Sequence, residues 1–115
     1  MTDTSGFDHA FSRFLTMRYP DYPQLEALQD WNSELLTLDG HVAGYASQVH
    51  GGTMRAHEIP DLPGILLSVR NLRESLGSLR APDAEDRRLI SEYASYVSAL
   101  ESMVSELDHL ARHRE

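Results

Sequence analysis

The residues of this sequence that could bind a metal are histidines and carboxylates, since the chain contains no cysteine. His109 and His113 stand four positions apart, a spacing that lets two imidazoles on one helix face bind zinc. Both fall in the last turns of a predicted helix, however, where cationic side chains complement the helix dipole. Glu106 and His109 also form an E-x-x-H pair, but a di-iron bundle needs two such pairs and further carboxylates. The sequence therefore predicts no cofactor and no metal, with His109 and His113 as candidate ligands if a metal binds.

His41 is the candidate for covalent chemistry, because it lies between two glycines in the run GHVAG, residues 40–44. The run resembles histidine-phosphotransfer domains, which are helical bundles with a solvent-facing histidine and a following glycine that makes room for the partner. Those domains normally carry a lysine just after the histidine and the glycine four positions later. This chain has no lysine, and Gly44 is at the third position. The resemblance implies a signalling bundle phosphorylated on His41, and we keep it as an alternative function.

Other polar arrangements give weaker indications of chemistry. Glu26, Asp30 and Glu34 are spaced i, i+4, i+8 and could hold a cation, although a solvated helix face has the same pattern. The connection 51–60 is the longest and contains three charged or imidazole side chains, and loops on rigid scaffolds often carry function. No nucleophile elbow, P-loop or dinucleotide-binding glycine motif is present. The sequence therefore favours a protein that is not an enzyme.

Composition excludes several classes of partner. The 115 residues include ten arginines, no lysine and 18 acidic side chains, for a formal net charge of −8. Because this charge repels phosphate, we expect no binding to nucleic acid or to anionic membranes. No apolar run reaches the ~18 residues of a membrane span, and the first residues do not read as a secretion signal. Since cysteine is also absent, we expect a cytoplasmic protein, and the lack of lysine indicates a GC-rich bacterial genome.

The spacing of apolar residues predicts one all-α domain over residues 1–115. Helices are predicted over 6–18, 22–50, 62–80 and 83–113. Apolar residues in the three long helices alternate steps of three and four, which is typical of helices that pack along their length. We therefore expect an antiparallel bundle of three long helices plus a short N-terminal helix.

Start signals and apolar rows define each predicted helix. Asp21 and Gln24 form a possible capping box around Pro23, and Asp61 with Pro63 marks the next helix start. The residues expected to face the core are Phe7, Phe11, Phe14, Leu15; Leu28, Trp31, Leu35, Leu38, Val42, Tyr45, Val49; Leu62, Ile65, Val69, Leu72, Leu76, Leu79; and Leu89, Tyr93, Tyr96, Leu100, Met103, Leu107, Leu110.

The opposite sides of two long helices carry small residues, where solvated helices normally carry Glu, Lys, Arg and Gln. We call these rows the glycine face and the serine face. The glycine face consists of Ser33, Thr37, Gly40, Gly44 and Ser47, and the serine face of Ser91, Ser95, Ser98, Ser102 and Ser105. Leu36 lies outside the apolar row of its helix and is expected to be an exposed contact.

Small residues on these faces lower helix propensity, since glycine inside a helix costs about 1 kcal/mol relative to alanine. Close packing against another helix could recover that loss. We therefore expect an interaction or regulatory module that contacts a second copy, as a dimer, or another helical protein. Three alternatives remain open, namely that the N-terminal helix covers one face, that the small residues line a groove for a ligand, or that they reflect drift on a tolerant surface.

Overall fold

The computed structural model describes residues 4–113, which form helices and no strand. The helices are α1 (Ser5–Thr16), α2 (Glu26–His50), α3 (Leu62–Gly77) and α4 (Ala84–Arg112), with one 3-10 turn at Ala56–Glu58. The described part measures 51 × 25 × 18 Å along its principal axes. Within it, no helix combines the length and the apolar character that a membrane crossing requires. The predicted all-α class is confirmed.

The other helices pack around α4. Its predicted core row is buried throughout, from Leu89 to Leu110. Residues on both flanks of this row, which were not predicted to face the core, are buried as well: Val97 and Val104 on one flank and Ala99 on the other. Because α1, α2 and α3 all contact α4, its buried arc is wider than the single apolar row of a two-helix contact.

A narrow aromatic face holds α1 in place. Phe7, Phe11 and Phe14 are buried, and Phe14 packs on Tyr96 of α4 with ring centroids 5.4 Å apart. Leu15, predicted to share this face, is 65% exposed, so that prediction is wrong. At about 100° per residue, Leu15 lies outside the arc defined by the three phenylalanines, and α1 uses only that arc. A helix of 12 residues is marginal alone, so this packing stabilises it.

The start of α2 also differs from the prediction. The helix begins at Glu26 rather than at 22, and no side chain caps it. Asp21 pairs with Arg18 at 3.0 Å instead of capping. Pro23 is buried, and its carbonyl accepts a hydrogen bond of 2.9 Å from the Gln29 side chain. The proline-containing segment therefore packs as extended chain, which delays the helix.

The predicted apolar rows of α2 and α3 face inward, with every member buried or half-buried. The indole N–H of Trp31 donates a buried hydrogen bond of 2.8 Å to the carbonyl of Leu72, which links the two helices. Pro63 lies in the first turn of α3, as predicted. The helix ends at Gly77 rather than at 80, although Leu79 is still half-buried.

We expect Phe14→Ala to destabilise the fold far more than Leu15→Ala. Phe14 is 7% exposed, and removing a buried phenylalanine side chain typically costs about 3–5 kcal/mol. Leu15 is mostly in solvent, so its truncation should change the free energy of unfolding by no more than about 0.5 kcal/mol. Urea denaturation of both variants measures the difference. Equal losses would contradict the position assigned to α1.

Candidate interaction site

The glycine face lies on the solvent side of α2. All five of its residues are exposed, whereas Val42 and Ala46, on the other side of the helix, are 2% and 0% exposed. The serine face is exposed at four positions, and Ser98 is half-buried. α1 covers neither face, because it packs on the side of α4 that carries Tyr96 and Glu106. The intramolecular alternative is therefore wrong.

No contact inside the monomer requires glycine at either of the two glycine positions of the glycine face. A Cβ atom added at Gly40 or Gly44 would meet no atom within 4 Å. At Gly64, by contrast, a Cβ would overlap the carboxylate of Asp61, and at Gly6 it would approach the carboxylate of Glu106 to 2.5 Å. The helix thus loses stability at Gly40 and Gly44 without an intramolecular contact that requires glycine.

An exposed leucine borders this face. Leu36 is 48% exposed, as predicted, and precedes Gly40 by one helical turn. The glycine face therefore combines backbone that is open to close approach with a large apolar side chain beside it.

A groove between α2 and α3 adjoins the glycine face and has a volume of about 620 Å³. Its floor is apolar, formed by the half-buried Leu38 and the buried Leu72. Its walls are exposed and polar. They consist of Glu34, Thr37 and His41 on α2 and Ser68, Asn71 and Ser75 on α3. Thr37 belongs to both the groove and the glycine face.

The α2 side of the molecule carries negative charge without a counterion. Glu26, Asp30 and Glu34 lie on successive turns, and none forms an ion pair among residues 4–113. Residues 19–54 contain no arginine and no lysine. On α4, by contrast, Arg88 pairs with both Glu85 and Glu92. Glu34, the acidic residue of the groove wall, thus continues a line of carboxylates along α2 that form no ion pair within residues 4–113.

His41 lies in the wall of this groove, and its side chain is exposed. Its imidazole has no hydrogen-bond or ion-pair partner in the part of the chain that the structure describes. Phosphotransfer at His41 remains a prediction.

The candidate metal ligands His109 and His113 are not grouped with a third ligand among the described residues. The rings of His109 and His113 have centroids 4.3 Å apart, and both residues are exposed. Over residues 4–113 no group of three or more His, Cys, Asp or Glu side chains is arranged around a common point that could hold a metal.

In the connection 51–60, the Glu58 carboxylate accepts a hydrogen bond of 2.8 Å from the Arg55 backbone N–H, so it stabilises the local turn.

A buried polar cluster on another side of α2 was not anticipated from the sequence. The hydroxyl of Tyr96 donates to the Asp39 carboxylate at 2.7 Å, and that of Tyr19 donates to the Asn32 side chain. Tyr93 donates to the Asp21 carbonyl at 3.1 Å. These partners are far apart in the sequence, and no local pattern marks them.

Burial sets the ionisation of this cluster. It raises the pKa of Asp39, and the hydrogen bond from Tyr96 opposes that rise. Burial also raises the pKa of Tyr19 and Tyr96, and it raises the pKa of Tyr93 to about 12. The tyrosines are therefore neutral donors at physiological pH, and the cluster joins α2 and α4 to the segment between α1 and α2.

Comparison of the chain with protein-family models, with curated proteins and with solved structures finds no match.

We expect Asp39→Asn to be more stable than the parent protein at neutral pH. The folded-state pKa of Asp39 lies above its unfolded value, so stability is lost as the pH rises from about 4 and the carboxyl ionises. Asparagine removes the charge but keeps an acceptor for Tyr96. The gain in thermal midpoint should shrink as the pH falls towards about 4. A pH-independent change in the thermal midpoint for Asp39→Asn would contradict the assignment.

We expect Gly40→Ala and Gly44→Ala each to stabilise the monomer by about 0.5–1 kcal/mol, because both glycines lie inside a helix with open space around them. Gly64→Ala is the control and should give no such gain, since the Asp61 carboxylate would have to move. Urea denaturation measures all three, at a protein concentration where the midpoint no longer depends on concentration. Loss of stability at Gly40 or Gly44 would reveal an intramolecular need for glycine.

Proposed function

We propose that this chain is a non-enzymatic helical interaction module that forms a homodimer through the glycine face of α2. The observation that carries the proposal is that Gly40 and Gly44 are exposed and that no atom of the monomer approaches the position of a Cβ at either residue. A second helix could approach this backbone closely, and the packing would recover the helix propensity lost at the two glycines.

The proposal includes an antiparallel bundle as the scaffold. Gly6 at the start of α1 lies near Glu106 towards the end of α4, whereas Phe14 lies near Tyr96. Ile65 near the start of α3 lines the same small cavity as Leu107 near the end of α4. Further along α3, Arg73 pairs at 2.7 Å with Glu101, which comes earlier in α4, and the two contacts together support an α3 that runs opposite to α4. Such a scaffold leaves the glycine face and the serine face on different helices and both open to partners.

A two-fold axis near Gly40 gives a self-complementary contact between two copies of α2. In this arrangement Leu36 of one copy lies over Gly44 of the other, and Ser33 lies opposite Ser47. The acidic halves of the two helices point away from each other. Two copies of Asp30 would be about 30 Å apart at 1.5 Å per residue, well beyond the screening length of about 8 Å at physiological ionic strength.

The serine face is the second predicted contact surface, and it has weaker support than the glycine face. It contains no glycine, and serine lowers helix propensity less than glycine does. Ser98 is also half-buried in the monomer, which leaves less of it for a partner. We therefore use the serine face as the control surface.

We expect Gly44→Leu to convert the dimer into a monomer, since a leucine side chain would hold the two α2 helices apart. Multi-angle light scattering should give twice the chain mass of 13.0 kDa for the parent protein and the single chain mass for the variant. Circular dichroism should show unchanged helicity, because the space around Gly44 is open.

The matched control is Ser102→Leu, which adds a leucine to the exposed serine face and should leave the dimer intact. A monomeric parent protein at micromolar concentration, or a Gly44→Leu variant that keeps the dimer mass, would refute self-association through the glycine face.

A further inference from the structure

We propose that the groove between α2 and α3 is a docking site for a basic amphipathic helix of another protein. The site adjoins the glycine face at Thr37 but uses different chemistry. The proposal does not depend on self-association.

The shape of the groove fits a helix. Its lining residues on α2 run from Glu34 to His41 and those on α3 from Ser68 to Ser75. Each of these stretches contains eight residues, and the seven rises of 1.5 Å between the first and the last give about 10 Å, which is two turns of a docked helix. The groove thus has the length that apolar anchors at i, i+3 or i+4, and i+7 of a partner helix require.

The apolar area of the groove extends beyond its floor. Leu38 and Leu72 form the floor, and the short hydroxyl side chains of the walls let a helix backbone approach them. Leu67 precedes Asn71 by one turn at the outer edge of α3 and is 59% exposed. A partner helix with an apolar stripe would cover Leu67 together with the floor, and burial of this area would stabilise the complex.

The negative charge beside the groove favours a partner helix whose polar face is positively charged. Glu34 lies in the α2 wall, and Asp30 and Glu26 continue the same line towards the start of the helix. The three carboxylates extend over about 12 Å, and no arginine among the described residues neutralises them. A helix with arginine or lysine beside its apolar stripe supplies the missing charge, which favours both encounter and orientation.

Other occupants fit less well. A nucleic acid or an anionic membrane is repelled by the same carboxylates. A small metal cation lacks a cluster of three ligands within residues 4–113. A second copy of this chain carries a net charge of −8, which disfavours its approach to the same carboxylates.

Fluorescence anisotropy with a labelled peptide tests the site. The probe is a designed leucine–arginine amphipathic helix of about four turns, and its control is the same peptide with glutamate in place of arginine. The full chain should bind the arginine peptide and not the glutamate peptide, with a stoichiometry of one peptide to one chain by light scattering.

Two pairs of variants with equal net charge separate the groove from general attraction. Asp30→Asn with Glu34→Gln should weaken binding about tenfold, since it removes two rim charges. Glu85→Gln with Glu92→Gln removes two exposed carboxylates of α4, outside the groove, and should change affinity less than about twofold. Ser68→Trp, which fills the groove from its exposed wall, should abolish binding while circular dichroism shows the same helicity.

Three results would overturn the proposal. Equal weakening by the two variant pairs would mean diffuse attraction to an acidic protein. Undiminished binding by Ser68→Trp would place the peptide elsewhere. Equal binding of the glutamate peptide would exclude a basic helix as the occupant.

Discussion

Burial of α4 is the constraint from which the rest of the arrangement follows. Its apolar side chains cover a wide arc, and Tyr93, Leu100 and Met103 are completely enclosed. One neighbouring helix cannot cover such an arc, so α1, α2 and α3 approach α4 from different directions. The shortest of them depends on this contact most, because a helix of the length of α1 gains its stability from tertiary packing rather than from propensity.

The position of α2 in this arrangement explains why the candidate surfaces lie on it. One side of α2 packs into the core, where Trp31 is buried and Tyr45 is half-buried. A groove opens beside α3, while the side away from the core meets only solvent. The same helix lacks arginine and lysine throughout, so whatever binds here meets an acidic surface.

The two proposed surfaces differ in the physical basis of recognition. On the glycine face, the absence of side chains permits close backbone approach, and helix–helix packing supplies the affinity. In the groove, burial of the apolar floor would supply the affinity, and the unpaired carboxylates would favour a positively charged partner. Because Thr37 belongs to both, a second copy on the glycine face and a partner helix in the groove would meet at this residue. A protein with such adjacent surfaces would couple its own assembly to the binding of its partner.

The sequence by itself determined which elements form and which side of each long helix faces the core, since helical periodicity is a local property written in the spacing of Leu28, Leu35 and Val42 or of Leu100 and Leu107. It also determined the acidity of α2 and the composition of its glycine face. Only the tertiary structure decided the exposure of Leu15, the buried flanks of the core row of α4 and the late start of α2, because each depends on where neighbouring elements lie. The pairing of Tyr96 with Asp39 across 57 positions and the groove beside His41 have the same origin. The periodicity of apolar residues determines on which side of its own helix each side chain lies. The distances between helices, by contrast, follow from how the side chains of all the helices pack together.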